Sequence, residues 1–213
     1  SAVGGRKMQY DKMLKEEIND CALLAARAFE TYEYFSNYIP DDSTRSRFLK
    51  QMLQTEMSVK YPSADILVAK ENGKIIAVAM LCPPNYKKPS DLKYILAGFL
   101  KLYRIVDKKT VSEWLEMEKK SGEPCHSIGG NYTWYLNSLT VDPNGQGTGI
   151  GSKMLQECVI PHVKANGGDL LTLFTNNKRN CAFYEKNGFT EFHQTSFQYR
   201  DTILGSWSFK MEV

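Results

Sequence analysis

The chain has 213 residues, 42% hydrophobic, 24% charged and 12% aromatic, with a formal net charge of +3. That length suits one domain with a sizeable core, and the composition is that of a soluble globular protein. So mild a charge, without a dense Lys/Arg patch interleaved with aromatics, argues against nucleic acid, and no apolar run approaches the roughly 18–20 residues of a membrane span.

Ser1-Ala2-Val3-Gly4-Gly5 lacks the apolar core of a signal peptide. From about 17 to 29, Ile18, Cys21, Leu24, Ala25 and Ala28 recur at helical spacing and predict an amphipathic helix. The stretch after it, Tyr32, Tyr34, Phe35 and Tyr38, is aromatic-rich and either walls an amine pocket or packs the core. A second helix is expected from Asp42-Ser43, which supply cap chemistry, with Phe48, Leu49, Met52 and Leu53 on one face. Ile66–Ala69 and Ile75–Leu81 flank Asn72-Gly73, the sequence signature of a β-hairpin. Cys82-Pro83-Pro84 ends it. Residues 91–121 then carry two helical patterns, one through Leu92, Ile95, Leu96, Phe99 and Leu102, the other through Val111, Trp114, Leu115 and Met117. Trp134–Val141 reads as a strand. A helix over about 150–165 should be kinked or shortened by Pro161. Strand 170–174, helix 179–187 and strands near 190–197 and 203–211 complete the chain, with no internal repeat.

Gln146-Gly147-Thr148-Gly149-Ile150-Gly151 lies between the Trp134–Val141 strand and the following helix. A glycine-rich loop at a helix N-terminus turns backbone N–H groups outward under a favourable dipole, so it is an anion site suited to phosphate. The dinucleotide fingerprint fails because Ser152 stands where a third glycine is needed, and the P-loop fails because Gly151-Ser152-Lys153 has the wrong order. What fits is Gln-x-x-Gly-x-Gly, as Gln146, Gly149 and Gly151. Downstream, Asn177 is followed seven residues on by Tyr184 and then by Glu185-Lys186-Asn187-Gly188-Phe189, one helix and one strand after the loop. These linked motifs resemble the GNAT superfamily (GCN5-related N-acetyltransferases). Trp134-Tyr135-Leu136…Leu139…Val141 and Arg179-Asn180…Phe183-Tyr184 look most like its puromycin-acetyltransferase-like branch. The resemblance covers roughly residues 131–192.

The resemblance implies an α/β (α+β) fold, a mixed, mostly antiparallel twisted sheet flanked by helices. Residues 1–213 would form a single N-acetyltransferase domain, with a helical insert at about 85–130 between the third and fourth strands. It implies an acetyl-CoA-dependent N-acetyltransferase that passes acetyl directly to a primary amine of a small molecule. The alternatives are a protein or peptide amine as acceptor, or a coenzyme A binding module without catalysis. The pyrophosphate would be held by the backbone of Gly147, Thr148, Gly149, Ile150 and Gly151, closed by Gln146. Ser152 either adds a contact or is an ordinary first-turn residue. Leu139 and Val141 would offer main-chain groups to the pantetheine, while their side chains serve the core. Asn177 either contacts the pantetheine or caps a helix. Tyr184 matches the family's general acid, a phenol able to protonate the departing thiolate, with a buried aromatic as the plainer role.

The base cannot be assigned by matching. The strand Trp134–Val141 holds no Asp or Glu, and Phe174 stands where the related branch often has a Glu. Glu30, Glu33, His126, or water relayed by Asn137 and Ser138 are the remaining candidates. The 85–130 insert is either a lid that limits thioester hydrolysis or scaffold. Lys87, Lys88, Lys108 and Lys109 read as solvated surface, or one of them reaches the adenosine 3′-phosphate. Five cysteines, odd in number and without Cys-x-x-Cys, point to reduced thiols in a cytoplasmic protein. Cys125-His126 is the only close Cys/His pair, so no metal is expected. A monomer or a homodimer is compatible with all of this.

Overall fold

A computed structural model describes residues 8–213; the signal-peptide reading of Ser1–Gly5 lies outside them. Seven strands form one sheet: β1 (Gln9–Lys12), β2 (Asp65–Glu71), β3 (Lys74–Cys82), β4 (Thr133–Val141), β5 (Leu170–Thr175), β6 (Thr190–Tyr199) and β7 (Thr202–Glu212). Their order is β1-β2-β3-β4-β5-β7-β6, and every pairing is antiparallel except β4 with β5. This is the mixed, mostly antiparallel sheet expected from the sequence.

Period-2 alternation sorts the strands onto two cores. Ile66, Val68, Val78 and Met80 face one side, beneath α1 (Ile18–Phe29), α2 (Glu33–Tyr38), α3 (Asp42–Lys60) and α5 (Lys108–Ser127). Leu67, Ala69, Ala77, Ala79, Leu81, Trp134, Leu136, Leu171 and Leu173 face the other. They lie beneath α6 (Ile150–Lys153), a π-helical segment (Met154–Val159), α7 (Ile160–Ala165) and α8 (Arg179–Lys186). Between β3 and β4 the chain forms α4 (Asp91–Leu96), a 3₁₀ turn (Phe99–Arg104) and α5.

The β2–β3 turn takes left-handed backbone at Asn72 (φ 51°) and Gly73 (φ 76°), as its Asn-Gly pair predicts. The cap of α3 is Asp41, one residue before the expected pair, its Oδ1 accepting from Thr44 N at 2.7 Å. Strand β1 and helix α2 are too short to carry a readable period. Pro161 does not break the helix ahead of it. The ladder widens into the π turn just before it, which absorbs the missing N–H, and the helix runs on to Ala165. The aromatic stretch is core: Tyr34, Phe35 and Tyr38 are buried in a mutual edge-on stack.

Candidate active site

Strands β4 and β5 run side by side for only three rungs, Thr133↔Leu170, Trp134↔Leu171 and Tyr135↔Thr172, and then separate. Beyond Tyr135, β4 keeps its partner β3 on one edge and has no rung with β5 on the other. Asn137 is the extra residue of a bulge, since Met80 pairs with Ser138 and Leu81 with Leu136.

Backbone direction in the open part of β4 follows from antiparallel alternation. Asp142 N donates to Ile76 O at 2.9 Å, so residues 142 and 140 exchange hydrogen bonds with β3. Leu139 and Val141 are the alternate residues, and their N–H and C=O groups point into the opening. The Val141 carbonyl is reached from that side by Gln146 Nε2 at 3.2 Å.

The glycine loop closes the wide end of the opening. Gly147 (φ 78°) and Gly149 (φ 88°) are left-handed, and a Cβ at either would meet nothing within 4 Å. Glycine is therefore demanded there by backbone conformation, and the space in front of the loop is clear. At Gly151 the reason differs: a Cβ would lie 3.2 Å from Phe183 of α8. Thr148 is pinned through its hydroxyl to Gly145 O at 2.6 Å. Asp142 braces the loop's start, one oxygen accepting from Asn144 N at 3.0 Å and the other from Arg27 at 2.9 Å. Ser152 Oγ accepts from Asn187 Nδ2 at 3.1 Å, tying α6 to the residue that follows α8.

On the far side of the opening, Asn177 Oδ1 accepts from Arg179 N at 3.0 Å in a turn just ahead of α8, whose N-cap is Lys178. Tyr184 is buried against Phe183, Phe189 and Phe209. Burial, reinforced by the nearby Tyr32, raises its phenol well above the usual range, so it stays protonated at any working pH. Tyr32 is fixed at the same strand end, its hydroxyl 2.9 Å from Thr175 Oγ1 and accepting from Asn176 N at 2.9 Å.

At the narrow end of the opening lies a cavity of about 950 Å³, open to solvent and lined by Tyr135, Asn137 and Thr172 at its floor. Its walls come from α3, α5 and the elements between β3 and β4. Three charged side chains converge inside: Glu56, Lys60 and Glu118. Lys60 Nζ sits 2.9 Å from Glu56 and donates to Asn137 Oδ1 at 3.1 Å. Burial alone would discharge Lys60, but Glu56 outweighs it and holds the ammonium charged. Glu118 is sunk between α2 and β4; burial first, then Glu56, lifts its carboxyl to about 7 against the opposing pull of Lys60 and Tyr34. His126 lines the cavity beside Tyr135, with ring centroids 4.6 Å apart, and burial and then Lys60 lower its pKa.

Of the base candidates read from the sequence, His126 and Asn137 line this cavity. Glu30 instead accepts from Ser46 at 2.8 Å, and Glu33 is exposed on α2. Glu56, Lys60 and Glu118 were missed, although the signal was present. Leu49, Met52, Leu53, Glu56 and Lys60 share one stripe of α3, and Val111, Trp114, Glu118, Gly122 and Cys125 share one stripe of α5. A charged residue inside an apolar stripe has to be solvated by a cavity or by a partner. Lys87, Lys88, Lys108 and Lys109 are all exposed, Lys88 at the cavity mouth. The five cysteines are free thiols, four of them buried. Among the described residues no group of three or more His, Cys, Asp or Glu side chains could hold a metal, and no helix is long and apolar enough to cross a membrane.

Comparison with known proteins agrees with this architecture. The model of the acetyltransferase (GNAT) family matches residues 29–189. Among solved structures, "histone acetyltransferase HPA2 and related acetyltransferase" from Corynebacterium glutamicum superposes with a TM-score of 0.61 at 18% identity, covering 94% of each chain. A GCN5-related N-acetyltransferase from Rhodopseudomonas palustris gives 0.58 at 11% identity over 96% of this chain and 95% of that one. The ribosomal-protein-S18-alanine N-acetyltransferase of Escherichia coli gives 0.55 at 14% identity over 97% and 94%. At such identities the likeness speaks for the fold alone. Among curated proteins, no sequence matches. The family model spans well over half of the chain and includes both the splayed strands and the glycine loop, and the chain belongs to the acetyltransferase (GNAT) family.

Proposed function

We propose that residues 1–213 work as one domain that transfers acetyl directly from acetyl-CoA to a primary amine of a small molecule. The observation that carries this reading is the β4/β5 opening: main-chain groups of Leu139 and Val141 point into it, a loop with clear space before Gly147 and Gly149 closes one end, and a cavity meets the other. Acetyl-CoA supplies the acetyl group activated as a thioester. Backbone N–H groups of Gly147, Thr148, Gly149, Ile150 and Gly151 would hold its pyrophosphate, with Gln146 fastening the loop to β4 and the Ser152 hydroxyl as a further donor. Leu139 and Val141 would bind the pantetheine in the manner of an added strand. Asn177 would contribute its side-chain NH₂, since its oxygen is engaged by Arg179 N.

Tyr184 is suited to protonate the leaving sulfur. Its phenol carries a proton at all working pH values and sits in an apolar nest where a developing thiolate would lack water. The small-molecule acceptor is favoured by the cavity. About 950 Å³ walled by α3, α4, the 3₁₀ turn and α5 is the size of a ligand pocket. The test is transfer itself. With acetyl-CoA and a suitable amine, free thiol and N-acetylated amine should appear in equal amounts, and no acetylated protein should accumulate when the amine is withheld. An acetylated protein that hands its acetyl to the amine would replace direct transfer with a covalent route.

A further inference from the structure

Among the three charges in the interior of the cavity, Glu56, Lys60 and Glu118, the signs do not balance. Glu56 and Lys60 form a pair at 2.9 Å, and the second donor direction of Lys60 is spent on Asn137. Glu118, the third member, has no cation at contact distance among the described residues; Lys60 acts on it through space, and the Tyr34 hydroxyl lies beside it. The groups facing it are Glu56 and Lys60 of α3, the Tyr34 and Tyr38 phenols of α2, Tyr32 before α2, and Tyr135 of β4. The cavity's other charges, Lys88, Asp91 and Lys119, lie at its exposed edge. One carboxylate is thus left over in the cavity whose floor, at Tyr135 and Thr172, is the last β4/β5 rung where the opening begins.

The mouth has a different character. Ile95, Leu100, Tyr103 and Leu115 line it while remaining 37% to 51% exposed. Single exposed apolar side chains such as Leu14 and Ile203 occur elsewhere on the surface, but here four gather around one entrance, and such a patch marks a binding surface.

We infer that Glu118 is the base for the acceptor, and that the acceptor is a monoamine with an apolar body, its ammonium at Glu118 and its body against Ile95, Leu100, Tyr103 and Leu115. This rests on the acetyltransferase reading above and names the acceptor for that site. A single uncompensated carboxylate matches one positive charge, and a second charge on the ligand would fall among apolar side chains. The proton count closes. The ammonium gives one proton to Glu118, which releases it to solvent through the open cavity. The freed nitrogen lone pair forms the bond to the thioester carbonyl carbon, and the carbon–sulfur bond breaks with its electron pair on sulfur. The nitrogen's second proton is lost as sulfur gains one from Tyr184, and the tyrosine is reprotonated. One amide and one thiol form, with one proton released.

An ordinary carboxylate is a poor base for an ammonium ion. At about 7, Glu118 is two to three orders of magnitude closer in basicity to an amine than a carboxylate at its usual value. The experiment combines titrations with rates. Acetyl-CoA binding is measured first; phenethylamine and putrescine are then titrated into the coenzyme-A-loaded protein, and thiol release is followed from pH 6 to 9. Phenethylamine should bind at least about tenfold more tightly than putrescine. Its rate should fall on the acid side of a midpoint near 7. Glu118→Gln should lower kcat/KM by about 10²–10⁴ and remove that limb, and Glu118→Asp should restore part of it. Leu100→Lys with Leu115→Lys should raise KM for phenethylamine about tenfold and leave acetyl-CoA affinity unchanged. The proposal is overturned by any of three results: a folded Glu118→Gln protein with wild-type rate and pH profile, loss of the limb in His126→Gln instead, or acetyl-CoA binding without phenethylamine binding. Failure of acetyl-CoA itself to bind would instead overturn the reading beneath it.

Discussion

Gly149→Ala separates a ligand loop from a mere turn, because the structure supplies a matched control. Gly149 has φ 88° and Gly73, at the tip of the β2–β3 hairpin, has φ 76°; an added Cβ meets nothing within 4 Å at either. The folded-state penalty is therefore conformational in both cases, about 1–2 kcal/mol for an L-residue in left-handed backbone. For a chain of this length that is a drop in Tm of about 2–8 °C. The effects on cofactor binding should differ. At Gly149 the methyl enters the space where a pyrophosphate oxygen would have to meet the backbone, and the loop's preferred conformation shifts with it. Calorimetric titration with acetyl-CoA should show affinity reduced by about 10² or more in Gly149→Ala and unchanged in Gly73→Ala, with similar Tm losses. Equal affinity in the two variants would refute the assignment of the loop to the pyrophosphate.

Two further outcomes follow from the buried ionisable groups. Tyr184→Phe should lower kcat by about 10²–10³ with little change in acetyl-CoA affinity, measured by thiol release and calorimetry; an unchanged kcat with transfer limiting would return Tyr184 to a packing role. Glu118 should cost the protein stability at neutral and alkaline pH. Its folded-state pKa is raised from 4.5 to about 7, so its contribution is fully present below 4.5 and is lost as pH rises through 7. Glu118→Gln, which removes the ionisation, should therefore gain up to ~3 kcal/mol relative to wild type at pH 8 and little at pH 4.5. Urea unfolding at the two pH values checks this, and a loss of stability at pH 8 would contradict the buried, uncompensated carboxylate.

The glycine-loop side of the candidate site was legible in the sequence, whereas of the cavity side only His126 and Asn137 were. Gly147 and Gly149 could be read because positive φ leaves few other residues possible, and Asn72-Gly73 declared its hairpin for the same reason; Gly151 is required by its close approach to Phe183. Leu139 and Val141 were placed by resemblance, and the hydrogen-bond alternation set by Asp142 and Ile76 explains why those two residues face the opening. The cavity depends on contacts between α3, α5 and β4, whose members are 77 residues apart in the pair Lys60–Asn137. No local spacing encodes that. Glu118 occupies the apolar stripe of α5, four residues after Trp114, and its role depends on what packs against that stripe. For the aromatic run Tyr34, Phe35 and Tyr38, composition left pocket wall and core both open, and the stacking settles on core. The helix through Pro161 was expected to be kinked or shortened, and it instead widens into a π turn and runs on to Ala165.

The most direct test of the central claim is backbone hydrogen exchange with and without acetyl-CoA. The account predicts slowed exchange at Leu139, Val141 and Gly147 through Gly151, with the β2–β3 hairpin around Gly73 unaffected. Acetyl-CoA binding that leaves those amides unprotected, or protection confined to another face of the sheet, would contradict it.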